Sequence, residues 1–329
     1  MSRLGTLFLS LPLLAADSDG LRNAFTSIRT QTAWPVVVAS LDNITSTFGP
    51  RIRISTMAYD WHRGIDIDAP LGAPVVAAAD GTLYNVTTYA DGGLTVVLRH
   101  AFASPVVYKG KTLTYYYTFH MHLSGVAQKL LDADAAGQKP AVAKGEAIGS
   151  VGHSGSAVDD HLHFEVRVGT SCSLEYQLAN PASSCAGWGF DPHMHPLWMF
   201  PPLALDQKLT ITRQPTSNAD GWARYESNDD NPMLNRVELK IVEKKSKKVV
   251  ASHVLDFNER LGFDATSTAA LDTPNQSKPY MSPILFGNAT RYTTDIVMPA
   301  LFVGRYYGSR YQSTLTATDI WNRAVSAVW

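Results

Sequence analysis

Two histidines separated by a single residue stand in an alternating run at positions 159–166. Residues i and i+2 of a β-strand point to the same side, so His161 and His163 are expected to face one site. Leu162 and Phe164 then face a hydrophobic core. Two neighbouring imidazoles serve either as two metal ligands or as one ligand and one proton-transferring group. The chemistry of this strand therefore depends on which other side chains reach the same side.

A histidine and a carboxylate four residues apart are a second candidate, in the run 62–66. In an extended strand, positions i and i+4 share a side, so the imidazole of His62 and the carboxylate of Asp66 can converge. Gly64, which lies between them, is expected to leave room for a metal ion. Neutral imidazole and carboxylate are both good zinc ligands.

A second His-x-His pair, His120 and His122, lies in another probable strand. Alternation predicts that Tyr116 shares a side with both of them. Clustered histidines usually bind metal or transfer protons, and nine of the ten histidines fall between His62 and His195. The first half of the chain is therefore expected to carry the chemistry.

The order of these motifs resembles peptidase family M23, the zinc peptidoglycan endopeptidases of the lysostaphin and LytM type. The resemblance covers about residues 45–200, and His-Leu-His-Phe-Glu after Gly-x-x-Gly, with His-x-Gly-x-Asp upstream, is a specific combination. In chain order, the matching segments are Phe48-Gly49-Pro50-Arg51, His62-Arg63-Gly64-Ile65-Asp66, His122-Leu123-Ser124, Gly145-Glu146-Ala147-Ile148-Gly149-Ser150-Val151-Gly152, Ser154-Gly155 and His161-Leu162-His163-Phe164-Glu165.

The resemblance implies that His62, Asp66 and His163 hold one Zn²⁺, and that His122 and His161 are catalytic residues beside the water that the metal activates. Three protein ligands leave a fourth position open, as in catalytic zinc sites. One of the two histidines can accept the proton of the water, while the other stabilises the oxyanion or protonates the leaving amine. The sequence does not say which does which. The implied substrate is a peptide in cell-wall peptidoglycan.

Two positions depart from the family pattern. His120 stands where relatives often carry tyrosine, and it is expected either to support the site or to face outward. Asp159 and Asp160 replace a frequent Gly-Pro, and they either raise the basicity of His161, recognise a substrate amine, or form a solvated turn. A third pair, His193 and His195, is flanked by prolines and is interpreted as the closing segment of the domain.

Short apolar runs separated by Gly, Asp-Gly and Pro predict a mainly β protein of about two domains. We expect a signal peptide at 1–16, an N-terminal arm at 17–40 that could cover the groove, an M23-like zinc metallopeptidase domain at 41–202 and a β-rich accessory domain at 203–329. The catalytic domain is expected to be an antiparallel β-sheet fold with a metal-binding groove. The accessory domain is expected to resemble a β-sandwich.

A basic start, a short apolar run and small residues before Asp17 indicate a secretory signal peptide, so the protein is expected to be exported. That run is too short to span a membrane, and no other stretch is long and apolar enough to do so. In an exported protein the two cysteines, Cys172 and Cys185, are expected to form a disulfide.

The net charge of −1 offers no electrostatic reason to expect nucleic acid or an anionic membrane as a partner. The basic run 244–248 is interpreted as a charged hairpin tip. Nothing in the sequence indicates an oligomeric state.

Two other functions compete with an enzyme. The first is a non-catalytic module of the same fold that binds cell wall or regulates another wall hydrolase, as relatives without metal ligands do. The presence of all five implicated residues argues against it. The second is surface binding by the C-terminal domain, through aromatic candidates that otherwise belong to its core: Trp222, Tyr306, Tyr307 and Trp321.

Overall fold

The computed structural model describes residues 18–53, 58–169, 192–227, 233–256, 280–281 and 292–329. The signal peptide predicted at 1–16 and the disulfide predicted between Cys172 and Cys185 lie outside these residues. Within the described ranges, no helix is both long and apolar enough to cross a membrane.

Antiparallel strands dominate the described chain, which confirms the predicted fold class. The strands are β1 (Ile44–Ser46), β2 (Gly49–Arg53), β3 (Ala58–His62), β4 (Ile65–Asp68), β5 (Pro74–Val76), β6 (Gly81–Tyr89), β7 (Gly93–Tyr108), β8 (Lys111–Leu123), β9 (Gly125–Val126), β10 (Ala141–Val142), β11 (Ala147–Ser150), β12 (His161–Arg167), β13 (His193–Met194), β14 (Gln207–Arg213), β15 (Gly221–Ser227), β16 (Leu234–Glu243), β17 (Val249–Asp256), β18 (Tyr280–Met281), β19 (Tyr292–Met298), β20 (Tyr311–Asp319) and β21 (Ala324–Val328).

Helices are few and short. The α-helices are α1 (Ser18–Ile28), α2 (Gln128–Ala135) and α3 (Ala300–Val303), and the 3₁₀-helices span Arg29–Gln31, Leu41–Asn43, Pro196–Met199 and Gly304–Tyr306. Helix α2 lies between β9 and β10.

The first half of the chain is built around one large sheet of order β1-β4-β12-β8-β7-β6-β10, and β13 pairs with β12 off this path. Two smaller sheets accompany it, β5-β11-β9 and β2-β3. Strand β12 lies between β4 and β8, so the residues of these three strands share one region of the sheet. Leu162, Phe164 and Val166 of β12 point into the core and are buried, as alternation predicts.

The second half contains two four-stranded sheets, β14-β15-β19-β18 and β17-β16-β20-β21. Leu209 and Tyr225 from the first sheet and Leu239, Ile241 and Leu315 from the second belong to one buried cluster. This arrangement confirms the predicted sandwich-like domain. The run 244–248 connects β16 to β17 as an exposed hairpin tip, as predicted.

Helix α1 shows that the N-terminal arm is part of the core, which differs from our expectation. Leu21 and Phe25 are buried, and the Phe25 ring contacts Tyr116 (5.2 Å between ring centroids) and Trp198 (6.3 Å). Tyr116 belongs to the face of the large sheet that packs on the core, so α1 does not cover the face that carries His163.

The two halves share apolar packing where they meet. Met233, Ile320 and Trp321 belong to the same buried cluster as the core of the first half. Trp321 is therefore a core residue, which is the alternative that the sequence offered to surface binding. Among the four aromatic candidates for surface binding, Tyr307 is the exposed one, whereas Trp222 and Tyr306 are partly buried.

Candidate active site

The register of two neighbouring strands builds the centre of the site. Strands β4 and β12 are antiparallel, with Asp66 opposite His163 and Asp68 opposite His161. Because directly opposed residues lie on the same face of a sheet, the Asp66 carboxylate reaches the His163 imidazole. The distance from Asp66 Oδ1 to His163 Nδ1 is 2.7 Å.

His62 reaches the same point from the end of β3, through the two-residue connection to β4. Its Nε2 lies 3.1 Å from His163 Nδ1 and 3.3 Å from Asp66 Oδ1. A Cβ at Gly64 would lie 2.5 Å from the Phe164 carbonyl oxygen and 2.8 Å from His163 Nε2. Glycine is therefore required here by the close approach of β12, and not by space for a metal as the sequence suggested.

Hydrogen bonds fix which nitrogen of each imidazole faces the centre. His62 Nδ1 donates to the Thr47 carbonyl (2.9 Å), which leaves its Nε2 with a lone pair. His163 Nε2 donates to Glu165 Oε1 (3.1 Å), so its Nδ1 is the ring nitrogen that faces Asp66. His62 Nε2 and His163 Nδ1 therefore both point to the position that Asp66 Oδ1 also faces, and His163 Nδ1 would give up its proton on binding a metal.

This donor set fits a zinc ion. The three facing atoms form a triangle with edges of 2.7, 3.1 and 3.3 Å. Ligands of a tetrahedral zinc with bonds of about 2.0–2.1 Å lie roughly 3.3 Å apart. In the described part of the chain, His62, Asp66 and His163 are the one group of His, Cys, Asp or Glu side chains placed to hold a metal ion.

The electrostatics of the group also suit a cation. Burial would raise the pKa of Asp66, but the charges and hydrogen bonds of His62 and His163 hold it well below its ordinary value. Burial would lower the pKa of His163, but the carboxylates of Asp66 and Glu165 raise it to about 9. Two ionised carboxylates in a buried site favour a positive charge between or beside them.

Glu165 accepts a hydrogen bond from His163 Nε2, the ring nitrogen that faces away from Asp66. Its carboxylate is buried, and it also pairs with Arg167 and with His193 Nε2 (3.4 Å). Burial would raise the pKa of Glu165, but Arg167, His193 and His163 hold it well below its ordinary value. A carboxylate bonded to the outer nitrogen of a ligand histidine fixes the ring orientation.

The sequence did not predict the contact of His193 with this carboxylate. His193 reaches Glu165 because β13 pairs with β12, with His193 opposite Arg167. The interpretation of this segment as the one that closes the domain agrees with that pairing. His195 is buried elsewhere, beside the Phe48 ring at 5.2 Å.

His122 and His161 lie beside the triangle, on the same side of the sheet. Their ring centroids are 4.9 Å apart, and the His122 ring is 5.7 Å from the His163 ring. His161 Nε2 is 3.5 Å from Asp66 Oδ1. The structure thus brings all five predicted residues together.

Both of these histidines donate a hydrogen bond from Nδ1 to a backbone carbonyl. His122 Nδ1 donates to the Ser154 carbonyl (2.8 Å), and His161 Nδ1 donates to the Asp159 carbonyl (2.9 Å). Each Nε2 is therefore a proton acceptor when the ring is neutral. Burial lowers the pKa of His122 to about 4, although the Ser154 carbonyl opposes this shift.

His120 departs from the predicted arrangement. It does not share a side with His122: it is fully buried on the opposite face of the sheet, where its ring lies 5.2 Å from Phe164. The reason is an irregularity in β8, where the register with β7 shifts between Leu94 and Val96. His120 therefore neither faces outward nor touches the triangle of His62, Asp66 and His163.

The two acidic residues before β12 have different contacts. Asp159 orients His161 through its backbone carbonyl, as described above. The Asp160 carboxylate pairs with Nδ1 of the exposed His153 at 2.6 Å. In this structure neither carboxylate forms a hydrogen bond or ion pair with His161.

Two imidazoles and a carboxylate that converge on one point, flanked by two further imidazoles, are typical of metallohydrolase centres. The particular family follows from comparison with known proteins. Residues 60–174 match the model of "Peptidase family M23", which confirms the resemblance.

The chain is also similar to curated proteins that are named as peptidases. The chain is 34% identical over 125 residues to "DD-carboxypeptidase/endopeptidase Mpg" of Neisseria meningitidis serogroup B, a match that covers 38% of this chain and 24% of the relative. It is 30% identical over 126 residues to "Peptidoglycan DD-endopeptidase ShyC" of Vibrio cholerae, covering 38% and 24%. The chain thus spans about a quarter of the length of these curated relatives.

A solved structure, that of a zinc containing peptidase from Vibrio cholerae, is 30% identical to this chain. The match covers 40% of this chain and 35% of that one, with a TM-score of 0.31.

Proposed function

We propose that this protein is an exported zinc metalloendopeptidase that hydrolyses peptide bonds in the cross-links of bacterial cell-wall peptidoglycan. The observation that carries the proposal is the convergence of His62 Nε2, Asp66 Oδ1 and His163 Nδ1 within 3.3 Å of one another. The substrate class is taken from the names of the relatives, which include a peptidoglycan DD-endopeptidase.

His62, Asp66 and His163 would hold the metal ion. When bound there, zinc supplies a Lewis acid that polarises a peptide carbonyl and lowers the pKa of water. Thr47 and Glu165 keep the two ligand imidazoles in the orientation and tautomer that binding requires.

His122 and His161 move protons in this proposal. Each presents an unprotonated Nε2 when neutral, so either one can take the proton of the attacking water. The imidazolium that results carries a proton on Nε2, which it can donate to the amine of the leaving peptide. The second histidine, once protonated, can stabilise negative charge on the carbonyl oxygen.

The reaction needs no covalent intermediate with the protein. A water oxygen adds to the peptide carbon, the carbon–nitrogen bond breaks, and the amine leaves with the proton that the histidine accepted. The products are one new carboxylate and one new amino group. Hydrolysis therefore leaves a pair of termini that identifies the bond.

The decisive experiment is digestion of purified peptidoglycans of different cross-link chemistry, with the new termini identified by mass spectrometry. We expect cleavage that stops when a chelator removes the metal and returns when zinc is added. Asp66→Asn, which keeps the size of the side chain, should bind little zinc and cleave nothing. Retention on peptidoglycan without cleavage, by protein that holds one zinc per chain, would overturn the proposal in favour of a non-catalytic module.

A further inference from the structure

One end of the C-terminal sandwich concentrates positive charge. We call it the basic end and define it by six exposed side chains in two segments of the chain: Lys244, Lys245, Lys247, Lys248, Arg305 and Arg310. The first segment is the β16–β17 hairpin tip, and the second lies between α3 and β20. The near-neutral charge of the whole chain conceals this concentration, because acidic residues elsewhere balance it.

Direct contacts join the two segments into one surface. The backbone N–H of Lys244 donates to the Arg310 carbonyl (3.0 Å), and the Arg310 guanidinium pairs with Glu243 (2.6 Å). Tyr306 donates its hydroxyl proton to the Val250 carbonyl at 3.3 Å. The Tyr306 ring also lies 5.4 Å from the Tyr311 ring. The position of the cations is therefore set by the fold and not only by the flexible lysine side chains.

The two segments themselves contain little negative charge. Glu243 is the one carboxylate in residues 243–249 and 301–311, and Arg310 already pairs with it. Four lysines thus share a single five-residue tip with no acidic residue in it. Like charges at this spacing repel one another, so an anionic partner gains free energy by approaching them.

Exposed apolar side chains border the cations. Leu301 is 70% exposed, Tyr307 is 60% exposed, and Val249 at the foot of the hairpin is 36% exposed. A soluble polyanion would need the charges alone. Cations together with isolated aromatic and aliphatic side chains match the interface of an anionic bilayer, where lipid phosphates meet the first carbons of the acyl chains.

The basic end points away from the peptidase domain. Strand β16 begins at Leu234, whose neighbour Met233 packs against Thr47 of the first half. It ends at Glu243, nine residues further on, beside the hairpin tip. At about 3.3 Å per residue, the basic end lies roughly 30 Å from the junction of the two halves.

We propose that the basic end docks the protein reversibly on an anionic lipid surface. The lysines and arginines contact lipid phosphates, and Leu301 and Tyr307 enter the headgroup layer. Docking would hold the M23 domain about 30 Å from the lipid. This inference goes beyond the proposed peptidase function, and it uses no residue of the metal site.

Sedimentation of the full-length protein with vesicles tests the proposal. Vesicles of phosphatidylcholine alone are compared with vesicles that also contain phosphatidylglycerol, over a series of salt concentrations. We expect binding to the anionic vesicles only, and weaker binding as salt rises. Equal binding to neutral vesicles, or no binding to anionic vesicles at low salt, would overturn the proposal.

A matched pair of variants locates the surface. The quadruple change Lys244→Gln, Lys245→Gln, Lys247→Gln and Lys248→Gln should lower the vesicle partition coefficient by about 100-fold or more. The control replaces four exposed lysines of the first half by glutamine, at positions 111, 129, 139 and 144, and removes the same charge. It should retain most of the binding. An equal loss in both variants would mean that overall charge, and not the basic end, decides binding.

A second variant separates a lipid surface from a soluble polyanion. Leu301→Ser with Tyr307→Ser keeps every charge, and it should lower the partition coefficient by roughly 10-fold. The same variant should bind long-chain polyphosphate as the wild type does. Two results would overturn the lipid surface as the partner and favour a soluble polyanion. The first is unchanged vesicle binding by this variant, and the second is a wild-type protein that binds polyphosphate but not vesicles. Both variants should cleave peptidoglycan at the wild-type rate, so docking and catalysis are judged separately.

Discussion

Strands β8 and β12 are neighbours in the large sheet and carry the same His-x-His pattern, yet they use it differently. In β12 the alternation is regular, and both His161 and His163 face the site. In β8 only His122 faces the site, while His120 lies on the other face in contact with Phe164. The same two-residue spacing therefore leads to a shared site in one strand and to separate environments in the other.

The cause is local backbone geometry at the end of β8. His122 has a φ of +62°, in the left-handed region, and its N–H donates to the Gly92 carbonyl at 2.8 Å. The left-handed residue breaks the alternation. The His122 side chain therefore points to the face opposite the one that period-two alternation from His120 predicts for it. Ser154 holds this geometry, because its hydroxyl accepts from the Leu94 N–H (2.9 Å) and donates to the Leu123 carbonyl (2.8 Å).

The largest expected effect separates the two histidines of β12. His163→Ala should lose the bound zinc and reduce cleavage by about 1,000-fold or more, because Lewis-acid stabilisation is worth several kcal/mol. His161→Ala should keep one zinc per chain and lose roughly 100- to 10,000-fold in rate, as expected for a proton-transferring residue. Zinc is measured by inductively coupled plasma mass spectrometry. A His161→Ala protein without zinc would show that both histidines are ligands.

The next prediction concerns the β8 residue that reaches the site. His122→Asn should retain zinc and fold normally, because asparagine tolerates a left-handed backbone, and it should lose roughly 100- to 10,000-fold in cleavage rate.

The matched control for His122→Asn is Lys109→Asn, at the opposite end of β8. Lys109 also has a positive φ, of 47°, and it lies far from the site in the β7–β8 turn. It should change neither zinc content nor rate. An active His122→Asn enzyme would leave His161 as the proton-transferring histidine.

A smaller effect is expected at the residue that supports His163. Glu165→Gln keeps the shape of the side chain but removes the charge that orients the imidazole, so zinc affinity should fall by roughly 10- to 100-fold. Competition with a chromogenic chelator measures this affinity. Glu146→Gln, which removes a half-buried carboxylate paired with Lys129 far from the metal-site residues in sequence, serves as the control and should bind zinc as the wild type does. Unchanged affinity in Glu165→Gln would limit Glu165 to a packing role.

The regular parts of the site could be predicted from the sequence. His161, His163 and Asp66 occupy ordinary strand positions, where period-two alternation and pairing decide which side chains meet. The resemblance to peptidase family M23 supplied the order of the motifs, and residues 60–174 match that family. The antiparallel character of both halves also follows from short apolar runs between turn signals.

The parts that sequence reasoning missed depend on irregular backbone or on contacts between distant segments. The placement of His120 and His122 on opposite faces depends on a bulge that no local residue pattern indicates. His193 meets Glu165 only through the pairing of β13 with β12, which lie more than 25 positions apart in sequence. Helix α1 carried a usable signal, since Leu21 and Phe25 are spaced for one helical face, but the helix is short and its other residues are mixed.

The smallest expected effect tests the other half of the comparison, the β8 histidine that faces the core. Burial lowers the pKa of His120 to about 3, although the Val96 carbonyl opposes the shift. Below its unfolded pKa of about 6.5, His120 takes up a proton in the unfolded chain but not in the folded one. The free energy of unfolding should therefore fall as the pH decreases from about 6.5, and His120 contributes roughly 2 kcal/mol of that loss by pH 4.5.

His120→Leu removes this titration while filling a similar volume. Its free energy of unfolding, measured in urea at several pH values, should decrease less steeply between pH 6.5 and 4.5 than that of the wild type. At pH 7 its zinc content and cleavage rate should match the wild type, because His120 contacts Phe164 and not the proposed metal ligands. A loss of zinc in His120→Leu would show that both histidines of β8, like both histidines of β12, belong to the site. An unchanged pH slope would mean that His120 is protonated to the same degree in both states.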